Sequence, residues 1–295
     1  MRQLARSKGV DLLVIDSGDR AEGNGLWDAS DPMGTFTRRL LRSLDLDLLT
    51  TGNHELYNGT TALNEHLEMV PYFGDRYLSS NIDIQIGGSW VPFANRTLRF
   101  TTEALGLHIT AFGFLFNFTG NARNTRVKPV ADVLEERWFR EAVADADTDL
   151  FLVAAHIDVH TLELQQIHDA IRAARPETPI QIFGGHSHIR DFKVFDQKSS
   201  ALESGRYCET AGFLSLGGLV PRAGEKKPKD GGEVTTFRRY IDFNRPGFMH
   251  HSGTGAHTFD TPEGLEMSAE ITQIREQLDL NRLIGCAPQD FTLYK

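Results

Sequence analysis

Apolar residues gather along this chain into short continuous runs, and four of them end on polar residues with ligand chemistry: DLLVIDSGD, DLLTTGNHE, LFLVAAH and IQIFGGHSH. Apolar runs of this length, bounded by turn residues, read as strands buried on both faces. The pattern predicts strands over 10–17, 47–51, 150–155 and 180–183. Helical stretches lie between them. Residues 1–8 read as the last turns of a helix, with Gly9 placed to cap its C-terminus. Asp31-Pro32 supplies a cap residue followed by proline and predicts a helix to about Ser43. Further helices are predicted over 130–145, which holds Trp138, and over 162–175, which Pro176 and Pro179 terminate. Strands alternating with helices imply an α/β fold with parallel strands and crossover connections.

Two regions break that rhythm. Residues 75–118 carry short β-rich stretches separated by Gly, Pro and Asn, and residues 201–243 read as antiparallel strands around a polar turn, GEKKPKDGG. Lys226, Lys227 and Lys229 in that turn are read as solvated. The expected organisation is a catalytic domain over 1–243, a linker over 244–261 rich in Gly, His, Pro and Thr, and the start of a second domain over 262–295. Thr261-Pro-Glu opens a helix expected to run to about Ile284.

Composition narrows the function classes. The chain has 295 residues, of which 40% are hydrophobic and 24% charged, as in an ordinary soluble domain. A net charge of -9 argues against sequence-independent nucleic-acid binding, which needs clustered Lys and Arg. It leaves room for a small anionic substrate, because a metal cluster reverses the field inside one cleft. Two cysteines, Cys208 and Cys286, make no disulfide framework and no zinc-finger spacing. No apolar run approaches the roughly 20 residues that span a bilayer. Met1 is followed by a polar helical stub with no signal peptide pattern. Sequons at Asn58, Asn95 and Asn117 lean slightly toward a secretory, vacuolar or extracellular setting.

The strand ends carry the chemistry. Asp19 and Asn53, like His156 and His186, are one strand-to-strand crossover apart, and parallel strand ends converge on one edge of a sheet. The four residues can therefore meet. A carboxylate can bridge two cations, Asn offers a neutral oxygen, and imidazoles suit Zn, Mn or Fe. His186 and His188 flank Ser187, a spacing that lets one ring face each of two metals. Two metals about 3.5–4 Å apart clamp a phosphate and activate water. His54, directly after Asn53, would face the substrate and stabilise charge or protonate the leaving oxygen. Other polar residues have plainer readings. His160 is a surface or cap residue, His250, His251 and His257 are solvated, Asp16 is structural, and Arg20 and Asn24 face either the cleft or their own loop.

The ordered series Gly18-Asp19, Gly52-Asn53-His54-Glu55, His156 and Gly184-Gly185-His186-Ser187-His188 resembles the calcineurin-like metallophosphoesterases, above all their 5′-nucleotidase branch. The resemblance covers roughly residues 1–245. It implies an αββα sandwich and two divalent ions (Zn, Mn, Fe or Mg). Asp19 would bridge them, Asn53, His156 and His186 would complete one site, and His188 would serve the other. The implied activity is hydrolysis of phosphomonoesters, nucleotides foremost, by in-line attack of a metal-bound hydroxide. Three departures stand out. The family's Asp-X-His motif, one strand before the Gly-Asp strand, is not in this sequence. The Asp that often follows the catalytic His by three residues is Tyr57 here, so the usual orienting carboxylate is missing, and Glu55 is free to serve the fold. Most of the nucleotidases' C-terminal domain is also absent. Two alternatives follow: a non-catalytic fragment retaining one metal site, and a phosphodiesterase of the same superfamily.

Overall fold

A computed structural model describes residues 1–219 and 233–292. The expected GEKKPKDGG turn, with its three lysines, lies outside the described residues. The strands are β1 Ile15–Asp16, β2 Leu48–Thr50, β3 Tyr77–Leu78, β4 Ile82–Ile86, β5 Ser89–Pro92, β6 Thr97–Thr101, β7 His108–Leu115, β8 Thr125–Val127, β9 Leu150–His156, β10 Ile180–Phe183, β11 Arg190–Asp196, β12 Ser199–Ser204, β13 Thr210–Gly217 and β14 Thr235–Asp242.

Two sheets dominate. A three-stranded parallel sheet has the order β1-β2-β3, and a six-stranded sheet has the order β11-β12-β10-β9-β7-β6. In the larger sheet β7, β9, β10 and β12 run parallel, while β6 and β11 close its two edges antiparallel. Smaller units, β5-β4-β8 and β13-β14, are antiparallel.

Packing sorts these sheets into four layers. Leu48 and Leu78 meet Ile109, Ala111, Leu150 and Leu152 in a buried seam between the two main sheets. The other face of the six-stranded sheet presents Phe112, Phe151, Val153 and Ile182 to the helices Val130–Leu134, Arg137–Val143 and Leu162–Ala174. The other face of the three-stranded sheet packs Leu49 and Tyr77 on Leu56, Ala62, Met69 and Phe73. The result is an αββα sandwich. Continuous apolar runs are what strands covered on both faces require.

Several expected elements are reshaped, each for a local reason. Only Ile15–Asp16 of the 10–17 run pairs as a strand. Upstream, side chains take the backbone groups: Asp47 accepts from Val14 N, Arg2 donates to the Leu12 carbonyl, and Asp11 instead binds the amides of Ala104 and Leu105. The helix expected from Asp31-Pro32 begins at Thr35, because Gly34 just before it is left-handed, with φ +77°. The 130–145 helix divides at Glu136, which is extended and holds Lys128 and the indole of Trp138 with its carboxylate. β11 was not foreseen. Helix Arg245–Ser252 occupies part of the expected linker, capped by Asn244, and helix Pro262–Gln277 starts at Thr261 but ends short of Ile284. Among the described residues no helix is long and apolar enough to cross a membrane.

Phe112 is fully buried between the sheet and its helices, with its ring 5.1 Å from Phe139 and stacked on Phe151. Phe112→Ala is expected to destabilise the chain by about 3–5 kcal/mol, measured as a fall in the denaturant midpoint.

Candidate metal centre

The site begins with two glycines that let strand ends interlock. Gly18 has φ +95°, and a Cβ there would fall on the Thr51–Gly52 backbone. A Cβ on Gly52 would strike Asp19. Between these ends lies the carboxylate of Glu55, itself 1% exposed. Its Oε2 accepts from Asp19 N (3.0 Å) and Gly52 N (2.7 Å), and its Oε1 from Arg20 N (2.6 Å) and Ala21 N (2.9 Å). Four otherwise orphaned amides of two loops are thus satisfied by one side chain.

Arg20 turns away from the cleft. Its guanidinium donates to Asp16 Oδ1, the Thr50 carbonyl, Glu65 Oε1 and Tyr77 Oη in the interior. Asp16 also accepts from Gly18 N, so both residues shape the turn from below. Asn24 caps the helix Gly25–Asp28 by accepting from Trp27 N.

Above this base, the ligand atoms of Asp19, His156 and His186 lie within 4.8 Å of one another. They come from both sheets: Asp19 follows β1, His156 ends β9 and His186 follows β10. His156 Nδ1 is 2.9 Å from the Ser17 carbonyl, which only accepts, so Nδ1 carries a proton. That turns Nε2, 3.0 Å from Asp19 Oδ2, toward the site. Without a second proton on the ring, two acceptors face each other there. Burial disfavours charge on both groups, but their pairing outweighs it, holding the His156 imidazole above its ordinary value and the Asp19 carboxyl below its own. Asn53 donates from Nδ2 to Tyr57 Oη at 2.9 Å, which leaves its Oδ1 aimed elsewhere. Asn53 Oδ1 is buried without a hydrogen-bond partner. Buried polar atoms are rarely left so. A carboxylate, an amide oxygen and imidazoles, with that oxygen unpaired and His156 Nε2 facing the Asp19 carboxylate, fit a divalent cation.

His186 stacks on Phe116 with ring centroids 4.1 Å apart. Burial and the neighbouring His156 hold its imidazole below the ordinary value, which favours the neutral form that ligates metals. His188 stands outside the group of three, exposed beside Tyr207. His54 sits on the open side. Its backbone N donates to Asp19 Oδ1 (2.9 Å), its Nε2 is 4.0 Å from Asp19 Oδ2, and its Nδ1 is 2.8 Å from Glu22 Oε2. Asp19, Glu22, His186 and His188 all have positive φ. Left-handed non-glycine residues concentrate where function sets the backbone. His160 pairs with Asp191 at the surface, and His250 and His257 are exposed on or beyond helix Arg245–Ser252.

Sequence reasoning missed Glu22, and it missed Glu203. Buried Glu203 accepts from Val159 N at 2.7 Å and from the Ser187 hydroxyl, bracing the loop that carries His186 and His188. A glutamate directly after Ala201-Leu202, near the end of SSALES, was the available signal.

Two outcomes are expected. Glu55→Gln puts a donor among four amide donors and should weaken Mn or Zn binding about 10–100-fold, read by calorimetric titration with circular dichroism unchanged. Burial raises the Glu203 carboxyl from 4.5 to about 7, despite the Ser187 and Val159 hydrogen bonds. The fold then binds this proton more tightly than the unfolded chain, so the stability contribution is full at low pH and is lost as pH rises through about 7. Thermal midpoints of the metal-free protein should drop over that window, and Glu203→Gln should flatten the drop.

Comparisons with known proteins agree with the fold. A family model for calcineurin-like phosphoesterases matches residues 1–190. An uncharacterized protein of Schizosaccharomyces pombe is 43% identical over 99% of this chain and 51% of its own length. A protein of Arthroderma benhamiae named as secreted is 38% identical over 99% of this chain and 49% of its own. The chain thus spans about half the length of these relatives. The crystal structure of a 5′-nucleotidase from Candida albicans superposes with a TM-score of 0.90 at 42% identity, over 97% of this chain and 53% of that one. The αββα sandwich is therefore that of a family member, and this chain belongs to the calcineurin-like phosphoesterase family.

Proposed function

We propose that residues 1–243 form the catalytic domain of a metal-dependent phosphomonoesterase of the 5′-nucleotidase type, with nucleotides as the leading substrate class. The observation that carries this reading is the convergence of Asp19, His156 and His186, with Oδ1 of Asn53 buried and unpaired. The likeness to the Candida albicans 5′-nucleotidase supports the substrate class. Residues 262–295 are proposed to open a further domain, and the secreted relative supports a secretory route.

In this reading Asn53, His156 and His186 hold one divalent cation, Asp19 is shared, and His188 serves a second. Bound divalent cations supply charge neutralisation at the phosphate and an activated water. The residues of the chain do the rest. Asp19 is fixed by the amide of His54, so ligand and acid move as one unit. Phe116 and the Ser17 carbonyl orient the two imidazoles. His54, with its side chain 35% exposed, stands at the open face, where a protonated ring reaches the leaving oxygen.

His54→Ala is expected to lower kcat by about 10²–10⁴-fold while metal content, measured by atomic emission, stays at the wild-type value. Loss of metal together with activity would reassign His54 as a ligand. A panel of AMP, cyclic nucleotides and bis-esters tests the substrate class, and turnover of diesters alone would make the protein a phosphodiesterase. One weakly held equivalent of metal with no turnover would favour a non-catalytic single-site protein.

A further inference from the structure

We propose that Glu22 is the positioning residue for His54. It would supply, from the Gly18-Asp19 loop, the carboxylate that Tyr57 does not. The inference rests on the reading of His54 as the acid. Glu22 Oε2 is 2.8 Å from His54 Nδ1, so the Nδ1 proton has an acceptor and Nε2 is left for the reacting group. Tyr57 meets the His54 ring edge-on, with centroids 5.0 Å apart, and the backbone amide of His54 is held by Asp19. The ring is thus fixed at its edge, its Nδ1 and its backbone, and Nε2 is the nitrogen left on the side of Asp19.

Glu22 is itself held. Its φ of +70° is unusual for glutamate. The chain just before it is pinned by Glu55 through the amides of Arg20 and Ala21. The chain just after it is pinned by the Asn24 cap on Trp27, whose indole is buried. A strained residue between two anchors is a designed placement rather than a loose loop tip. Tyr57 has a different task at the position where a carboxylate was expected: its hydroxyl accepts from Asn53 Nδ2 and leaves the amide's Oδ1 as the unpaired atom. Ligand orientation falls to Tyr57 and acid orientation to Glu22.

The step this serves balances simply. The water oxygen bonds to phosphorus, the P–O bond to the leaving group breaks, and Nε2 gives its proton to the departing oxygen. The Nδ1 proton stays on the ring, shared with Glu22, the attacking water's surplus proton passes to solvent, and solvent returns a proton to Nε2.

The test uses the full chain loaded with Mn, the variants Glu22→Ala and Glu22→Gln, and two monoesters: AMP, with a poor leaving group, and p-nitrophenyl phosphate, with a good one. Glu22→Ala should lower kcat on AMP about 10–100-fold with KM nearly unchanged, and should cost clearly less on p-nitrophenyl phosphate, which needs little help from an acid. Glu22→Gln, which keeps an acceptor, should recover part of the loss. Equal losses on both esters, or loss of bound Mn, would overturn the proposal. A second readout needs no turnover. In metal-free protein, the ¹⁵N resonance of His54 Nδ1 should shift on Glu22→Ala, and an unchanged resonance would overturn the pairing. Inactivity of the wild type on every ester, with the shift present, would instead overturn the reading of the chain as a phosphomonoesterase.

Discussion

The centre of this molecule is built around one carboxylate accepting four backbone amides. Glu55 joins the Asp19–Ala21 turn to Gly52 at the end of β2. The two loops come so close that neither Gly18 nor Gly52 tolerates a side chain. Loops in such contact have few ways to pair their N–H groups with each other, and a buried unpaired amide costs about 1–3 kcal/mol. An acceptor-only side chain with two oxygens resolves this, and Asp19 and Asn53 inherit their positions from it. Below, Arg20 and Asp16 brace the turn within the interior.

The rest of the fold brings strand ends from both sheets together. In the six-stranded sheet, β9 and β10 are paired so that Phe183 stands beside Ala154, which brings the Gly184–His188 loop next to His156. In the other sheet, Asp16 stands beside Leu49, which brings the Asp19 and Asn53 loops together. The leucine and alanine seam between the sheets sets how far apart these two pairs stand. Glu203 then braces the last loop from inside through Ser187 and Val159.

Much of this was legible in the sequence because it depends on local pattern. The apolar runs, the glycines at their ends and the ligand-type residues that follow are all neighbours in the chain, and they led to the parallel strands and to the meeting of Asp19, His156 and His186. What was not legible depends on distant partners. The place of Arg20 after Asp19 leaves open whether it faces the cleft or its own loop, and Glu65 and Tyr77, far along the chain, draw it inward. Residues 10–14 look like strand, yet Asp47 and Arg2 take their backbone groups. The loss of an aspartate at Tyr57 was visible, but the carboxylate now on His54 lies 32 residues away and depends on a left-handed backbone.

That the converging residues come from both sheets has a consequence beyond chemistry. Asp19 and Asn53 belong to one layer of the sandwich, His156 and His186 to the other, and the Ser17–His156 hydrogen bond crosses between them. Both Cys208 and Cys286 are free thiols, so no covalent link joins the layers. A cation held by these four residues would do the work of a cross-link, tying segments distant in sequence into one loop. Unlike a disulfide, its strength follows occupancy: stability grows with the logarithm of free metal above the dissociation constant. The cohesion of the two layers then becomes a property of the ionic composition of the compartment as much as of the chain.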